Sequence, residues 1–373
     1  MRRFLTTFFL SALIMLLPAE VSADINIAVV APLAGDYEIL GNELVSGAQI
    51  AVDEINSHGG LKGEKVNLVV IDDQCNDYLA VSSAQMIAVN SSKKNKMNLI
   101  IGPFCPNALG EVAKTYAQTK ILQIIPTSVS KNEASISYES LIKLVGYTEQ
   151  QSLDFFKFYL KNFDNQRLAL AYNSDSKEAV GVAAALQEEF NKAGKAVDFK
   201  SFNFANYKKD YEQMAEDIVK DKSRVAVIFG NGKESVKLAK ALRREDKSVA
   251  VFLNRYQVQG RFLEDMGKYA EGVYLLSLPT LKENTEFTET LVKMRLLGVE
   301  PKGLSVYSYS AVKLWADLVA MANSYNFDKM KMLIPETVFE TAWGEVSFAN
   351  GNAKNPLNYS IYRFNNGEYT QVY

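Results

Sequence analysis

The sequence INIAVVAPLAGDYEILGNELVSGAQIAVDEINSHGGLKGEKVNLVVIDDQC, residues 25–75, opens on a continuous apolar run at residues 25–32. A helix is predicted over residues 43–56, because apolar side chains recur there on one helical face. A second continuous apolar run follows at residues 65–72. Strands without polar alternation, each followed by a helix, indicate a parallel sheet that helices cover on both faces.

The alternation of strand and helix continues along the chain in two series. The first series goes on through a helix at 78–90, a strand at 97–102, a helix at 107–118 and a strand at 121–126. Residues 141–151 interrupt it, and a second series runs to residue 254. Two helices, near 284–297 and 305–323, precede short strands from about residue 337. We therefore expect an α/β protein of about two domains.

The N-terminus has the layout of a secretory signal peptide. Arg2 and Arg3 form a basic start, and an apolar stretch leads to a small-residue cleavage pattern that ends at Ala23. The apolar stretch closes at Pro18 and is short for a membrane span. We predict that residues 1–23 are a signal peptide cleaved near Ala23, with an uncleaved anchor as the alternative.

An exported chain meets an oxidising compartment, which decides how cysteines behave. The chain has only two, Cys75 and Cys105, and these most simply form one disulfide. Chain entropy assigns such a bond about 3.5 kcal/mol of stabilisation. A nucleophilic cysteine would need a base, and the only histidine, His58, lies in a predicted turn. A metal site would need more histidines or cysteines.

Parallel sheets bind ligands at the loops beyond the carboxyl ends of their strands. Both cysteines fall on such loops. The loop segments are PLAGDYEILG (32–41), DDQCNDY (72–78), GPFCPNAL (102–109), PTSVS (126–130), YNSDSKE (172–178), GNGKES (230–235) and NRYQVQG (254–260). Aromatic residues that could line a cleft for an apolar or planar ligand are Tyr37, Phe104, Tyr147 and Tyr256. The net charge of −2 argues against a nucleic-acid partner.

The stretch from residue 26 to residue 75, followed by LIIGPFC and QIIPTSVS, resembles the leucine/isoleucine/valine-binding proteins, periplasmic solute-binding proteins of ABC transporters. The resemblance covers nearly all of residues 25–365. It implies an α/β fold of two Rossmann-like lobes with parallel sheets, joined by three crossover strands, with the ligand cleft between them. The two cysteines lie where the family often carries its disulfide.

The resemblance also implies lobe limits and a closing motion. Lobe one would comprise residues 24–145 plus 275–341, and lobe two residues 147–272 plus 345–373. The crossovers would fall near Gly146, Val273 and Trp343-Gly344. Hinged closure of the lobes around the ligand would be read by the transporter.

The family's pocket residues carry over to lobe one with substitutions. Pro106, followed by Asn107, stands where the family has a serine whose hydroxyl holds the ligand. Thr127, Ser128 and Val129 occupy the second ligand-holding segment, with Val129 at the family's threonine. Thr127 and Ser128 still offer hydroxyls, and backbone N–H groups at 127–129 remain as donors. Tyr37 and Tyr147 complete the predicted ligand-binding set on this side.

The lobe-two positions depart further from the family. The turn Gly230-Asn231-Gly232 lacks the family's aromatic residue, which leaves Gly232 as the candidate there. The slot of the family's ammonium-binding glutamate falls at Arg255 or Tyr256. An arginine suits a carboxylate, so we expect a small carboxylate-bearing metabolite. If that metabolite is an amino acid, its ammonium would need a partner such as Asp36, Glu38, Glu149 or Asp175.

The resemblance implies passive capture rather than catalysis. We expect a periplasmic monomer, with neither cofactor nor metal, that delivers a small-molecule solute to an inner-membrane ABC permease and ATPase complex. The alternative is a ligand-sensing regulatory protein on the same scaffold. A secreted hydrolase is disfavoured, because the chain has one histidine in a turn and no G-x-S-x-G motif.

Overall fold

The computed structural model describes residues 25–92, 96–254, 262–279, 287–301 and 303–373. Over these residues the chain forms two seven-stranded sheets and one two-stranded hairpin. The predicted α/β fold with two largely parallel sheets is confirmed. The predicted signal peptide lies outside the described residues. Among the described residues, no helix is long and apolar enough to cross a membrane.

The first sheet is built from the start of the chain. Its strands and connecting helices are β1 (Ile25–Ala31), α1 (Glu38–Ser57), β2 (Val66–Asp72), α2 (Asp77–Val89), β3 (Met97–Ile101), α3 (Leu109–Gln118), β4 (Leu122–Ile125), α4 (Lys131–Ala134) and β5 (Leu141–Lys143). The spatial order is β5-β4-β3-β1-β2, and all neighbours are parallel. Parallel pairing brings the loops after β1, β2, β3 and β4 to one edge of the sheet.

The second sheet repeats this construction. Its elements are α5 (Gln150–Phe163), β6 (Leu168–Tyr172), α6 (Lys177–Lys192), β7 (Phe199–Asn203), α7 (Tyr211–Lys220), β8 (Val225–Phe229), α8 (Gly232–Glu245), β9 (Ala250–Asn254), α9 (Phe262–Met266) and β10 (Tyr274–Ser277). The parallel order is β7-β6-β8-β9-β10.

The rest of the chain adds to both sheets. Its elements are α10 (Thr288–Leu296), α11 (Leu304–Ala322), α12 (Phe327–Met330), β11 (Phe339–Thr341), β12 (Gly344–Val346), β13 (Phe348–Ala349), β14 (Asn352–Ala353), β15 (Ser360–Asn365) and β16 (Glu368–Gln371). β14 joins the first sheet beside β5, with β13 outside it. β15 joins the second sheet antiparallel to β10, with β16 outside it.

Helix α11 covers one face of the first sheet by packing closely against α1. A methyl group at Gly47 would collide with the backbone carbonyl of Ser305, so the glycine allows the two helices to touch. The Ser308 hydroxyl donates to the Leu44 carbonyl across the same contact, at 2.6 Å. Trp315 of α11 is fully buried in this core. The first sheet with these helices is called lobe one, and the second sheet with its helices lobe two.

Two of the three crossovers lie at other positions than the sequence led us to expect. The chain leaves the first sheet at Gly146, as expected, but β10 keeps it in the second sheet as far as Ser277. β13 and β14 belong to the first sheet, although residues from 345 onward were expected in lobe two. Trp343-Gly344 lies at the β11–β12 hairpin, and the last crossover lies between β14 and β15. We therefore propose lobe limits of 25–145 plus 278–353 and 147–277 plus 360–373.

Candidate functional site

The carboxyl edges of the two sheets face each other. Asp36 lies in a short 3-10 turn after β1, and Lys233 lies in the first turn of α8, after β8. The Asp36 Oδ1 and Lys233 Nζ atoms are 2.7 Å apart. This ion pair joins lobe one to lobe two across the predicted cleft. The cleft is therefore closed at this point.

Two aromatic rings line the lobe-one side beside this ion pair. Tyr37 and Phe104 are half-buried, and their ring centroids are 5.8 Å apart. Burial raises the pKa of the Tyr37 hydroxyl, with smaller contributions from the negative charges of Glu178 and Asp36. Tyr37 follows Asp36 in the chain, next to the residue whose ion pair with Lys233 joins the two lobes.

The two cysteines join neighbouring loops on this edge of lobe one. Cys75 follows β2 and Cys105 follows β3, and their sulfurs form the predicted pair, with Cα atoms 5.3 Å apart. Asp72 also connects the loops after β1 and β2. Its Oδ1 accepts from the backbone N–H groups of Leu33 and Gln74 at 2.9 and 3.0 Å. Within the described ranges, no group of three or more His, Cys, Asp or Glu side chains could hold a metal ion.

The segment after β4 presents one unusual polar group. Thr127 is 7% exposed, and among the described residues its Oγ1 has no hydrogen-bond partner. The Ser128 hydroxyl is 3.0 Å from the Tyr359 hydroxyl. Val129 is buried in the lobe-one core, and its backbone N–H donates to Gly146 at 3.0 Å. Of the expected backbone donors at 127–129, the one at Val129 is therefore already engaged.

Tyr147 and Glu149 lie at the first crossover, on one side of the cleft. With Lys131 of lobe one they line a partly open cavity of about 100 Å³ against α6. Both carboxylate oxygens of Glu149 accept from the backbone N–H of Lys131, at 3.1 and 3.0 Å. Glu149 therefore holds the start of α4, a role that its position in the sequence did not predict.

One acidic side chain that sequence analysis missed lies at the same junction. Glu178 is in the first turn of α6, directly after β6. Crowding by protein atoms, with the negative charges of Glu133 and Glu149, raises its pKa to about 7. The side chain is exposed to solvent. Glu178 therefore lies on the surface of lobe two, at the start of α6.

Lobe two contributes two buried amides, one at the end of β9 and one in the first turn of α5. Asn254, the last residue of β9, donates through Nδ2 to Gln151 Oε1 at 2.6 Å. Gln151 is 1% exposed, and within the part of the chain that the structure describes its Nε2 has no partner. An unpaired buried donor is costly, so Gln151 is a candidate for contact with a bound polar group that sequence reasoning had not singled out.

The turn after β8 has a structural function. The Asn231 side chain caps α8 by accepting from the backbone N–H of Glu234 at 2.9 Å. Gly232 is the first residue of that helix, and it places Lys233 opposite Asp36. GNGKES thus forms a strand-to-helix turn between β8 and α8.

Several predicted residues are not brought into this group. Arg255 and Tyr256 lie outside the described residues. Pro106 begins a short 3-10 helix, Pro106–Ala108, in which Asn107 is exposed. Among the expected ammonium partners, Asp36 pairs with Lys233 and Glu149 caps α4, while Glu38 and Asp175 are exposed.

Comparison with known proteins supports this two-lobed arrangement. The profile of the family described as periplasmic binding protein matches residues 24–368. The Leu/Ile/Val-binding protein BraC3 of Rhizobium johnstonii is 29% identical over 220 residues, which are 59% of this chain and 58% of that protein.

Two solved structures share the fold. A leucine-binding protein, LivK, from Thermotoga maritima has a TM-score of 0.78 at 19% identity, covering 94% of this chain and 98% of its own. A solute-binding protein from R. palustris in complex with benzoate has a TM-score of 0.76 at 15% identity, covering 94% and 96%. The resemblance to leucine/isoleucine/valine-binding proteins that the sequence indicated is confirmed.

Proposed function

We propose that this chain, which belongs to the periplasmic binding protein family, captures an amino acid or a related small carboxylate-bearing metabolite by closure of its two lobes. It acts as the solute-binding component of an ABC importer. The observation that carries the proposal is the Asp36–Lys233 ion pair, which brings the loops at the carboxyl edges of both sheets together. Open α/β sheets bind ligands at this edge.

Unpaired buried groups support a polar ligand. Thr127 Oγ1 in lobe one and Gln151 Nε2 in lobe two are buried and lack partners among the described residues. A carboxylate can accept from a hydroxyl and from an amide N–H, so it would satisfy such groups at a gain of about 1 kcal/mol for each bond. The half-buried rings of Tyr37 and Phe104 offer apolar surface to the rest of the ligand.

The charge of lobe two suits a ligand that also carries an ammonium. Glu178 faces Tyr37 across the junction and is crowded by Glu133 and Glu149. The ammonium of a bound ligand would offset the repulsion among these three carboxylates. We assign Glu178 this part in place of the expected Asp36 and Glu149, because those two carboxylates already have partners.

For the ligand class, we use only the ligands that the names of the related structures state. Leucine and benzoate, named for two structures of the same fold, share a carboxylate and differ in the ammonium. The small carboxylate is therefore the common element that we transfer to this chain. In the same way we propose, from the family, a periplasmic location after cleavage near Ala23, binding without turnover, and delivery to a membrane permease and its ATPase.

A thermal-shift panel of amino acids and organic acids tests this function. We expect stabilisation by at least one small carboxylate. The isosteric change Thr127→Val should weaken that ligand about tenfold if the hydroxyl contacts it. Thr115→Val is the matched control, since the Thr115 hydroxyl donates to the Glu111 carbonyl on the surface of α3. No stabilisation by any amino acid or organic acid of the panel would contradict the ligand class.

A further inference from the structure

Tyr359 is the last residue before β15, at the end of the third crossover. Its backbone is attached to lobe two in two ways. Ser360, the next residue, pairs with Ser277 of β10 in the second sheet. The Tyr359 N–H donates to Asp154 Oδ2 of α5 at 2.8 Å, and both residues are buried, so water does not compete for this bond. The Tyr359 backbone therefore moves with lobe two.

The side chain of the same residue extends into lobe one. Tyr359 is almost fully buried, and its ring packs with the side chains of the lobe-one core. Its hydroxyl is 3.0 Å from the Ser128 hydroxyl, in the loop after β4. A buried tyrosine hydroxyl normally has a hydrogen-bond partner of this kind. Tyr359 thus connects the two lobes through a buried contact, whereas Asp36 and Lys233 connect them through an exposed one.

The chain just before Tyr359 is attached to lobe one. The Leu357 N–H donates to the Val145 carbonyl at 2.9 Å. Val145 is the last residue of lobe one before the first crossover, so the first and third crossovers run side by side here. Asn358 is the one residue between this attachment and Tyr359, and it is exposed. A rotation of one lobe against the other would therefore be absorbed at Asn358 in the third crossover.

Such a rotation would draw the Tyr359 side chain away from Ser128, because its backbone moves with lobe two. We propose that Tyr359 is a positioning residue that latches the lobes, with a hydroxyl bond to Ser128 that forms on closure and breaks on opening. The inference rests on the proposed lobe closure. It also removes Ser128 from the expected ligand-binding set, because the protein itself engages this hydroxyl, whereas Thr127 Oγ1 lacks a partner among the described residues.

Loss of the Tyr359 hydroxyl should shift the equilibrium toward the open form. In the closed form the partly buried Ser128 hydroxyl would lose its partner, whereas in the open form water reaches it. A neutral hydrogen bond changes such an equilibrium about fivefold. Tyr359→Phe keeps the ring and its packing in the lobe-one core, so the change should come from the hydroxyl.

Small-angle scattering of the ligand-free protein, stripped by unfolding and refolding, tests the latch. We expect a larger radius of gyration in Tyr359→Phe than in the wild-type protein. Tyr309→Phe is the matched control, because Tyr309 is also 2% exposed and its hydroxyl donates to Glu54 Oε2 within lobe one, at 2.8 Å. That variant should lose stability in chemical denaturation and keep the wild-type radius. Far-UV circular dichroism checks that every variant is folded.

Ser128→Ala and the double variant test whether the two hydroxyls act on each other. A shared bond predicts that Ser128→Ala expands the protein as Tyr359→Phe does, and that the double variant expands no further. An unchanged radius in Tyr359→Phe would overturn the proposal. So would an equal expansion in Tyr309→Phe, or a larger expansion in the double variant than in either single one.

Because no ligand is added, this result is independent of the thermal-shift panel. A failed panel with an expanded Tyr359→Phe variant would count against the ligand class and leave the latch standing. A successful panel with an unchanged radius would remove the latch and leave the proposed function standing.

Discussion

The loops at the junction are held differently in the two lobes. In lobe one the loops after β2 and β3 are joined covalently by Cys75 and Cys105. In lobe two the corresponding loops depend on helix caps, with Ser176 accepting from the Ala179 N–H and Asn231 accepting from the Glu234 N–H. Lobe one thus has a covalent link between two of its junction loops, whereas the described lobe-two loops after β6 and β8 are held by helix-cap hydrogen bonds.

The cores beneath these loops differ as well. Behind the second sheet, aromatic rings pack edge to face, with Phe252 5.0 Å from Phe155 and stacked 4.4 Å from Tyr274. The first sheet is filled mainly by aliphatic side chains and by α11. Lobe two therefore has an aromatic cluster in its core, whereas lobe one combines a mainly aliphatic core with a disulfide.

The aromatic core provides the largest expected effect. Phe252→Ala should lower the free energy of unfolding by about 4 kcal/mol, because it opens a cavity at a fully buried ring. Chemical denaturation followed by circular dichroism measures it. Leu160→Ala, at a side chain of α5 that is 36% exposed, is the control and should cost far less. Equal losses in the two variants would contradict the importance of the aromatic cluster.

The disulfide comes next. Replacing both Cys75 and Cys105 by serine should cost about 3.5 kcal/mol through the entropy of the unfolded chain. The loss should concentrate in lobe one, so hydrogen exchange should rise in β2 and β3 and stay unchanged in β6 and β8. Faster exchange spread evenly over both sheets would show that the lobes unfold together and would remove the contrast between them.

The smallest effect should come from the ion pair between the lobes. Asp36 and Lys233 are 58% and 75% exposed, so their attraction is screened and contributes at most about 1 kcal/mol. Lys233→Ala should weaken ligand affinity up to about fivefold by favouring the open form, as calorimetry would measure. Lys220→Ala on α7 is the matched control. A loss of a hundredfold or more would mean that Lys233 contacts the ligand itself.

The sequence predicted the strands and helices better than the tertiary contacts and the crossovers between the lobes. Continuous apolar runs such as residues 25–32 identify buried parallel strands directly. Helix α1 begins at Glu38 and not near residue 43. Its first turn contains Gly41, which lies against the Pro32 carbonyl in a contact that apolar periodicity does not reveal. The last crossover was misplaced because β11 to β14 have only two or three residues each, too few to show a pattern.

The site was predictable only in part, because its residues are distant in the chain. The loop segment at residues 172–178 was expected at the correct edge and contains Glu178. An acidic residue in the first turn of a helix usually complements the helix dipole, so its sequence context does not distinguish it. Its surroundings come from Tyr37 and Glu133, which are distant in the chain and are brought near only by the approach of the lobes.

The central claim is that the cleft between the lobes holds a small solute. Native mass spectrometry of the full chain, purified gently and without added ligand, tests it most directly. We expect a single bound small molecule that bears a carboxylate, and we expect it to restore the thermal shift when it is returned to stripped protein. A chain that carries no small molecule in any preparation, and that no carboxylate in the panel stabilises, would contradict the account.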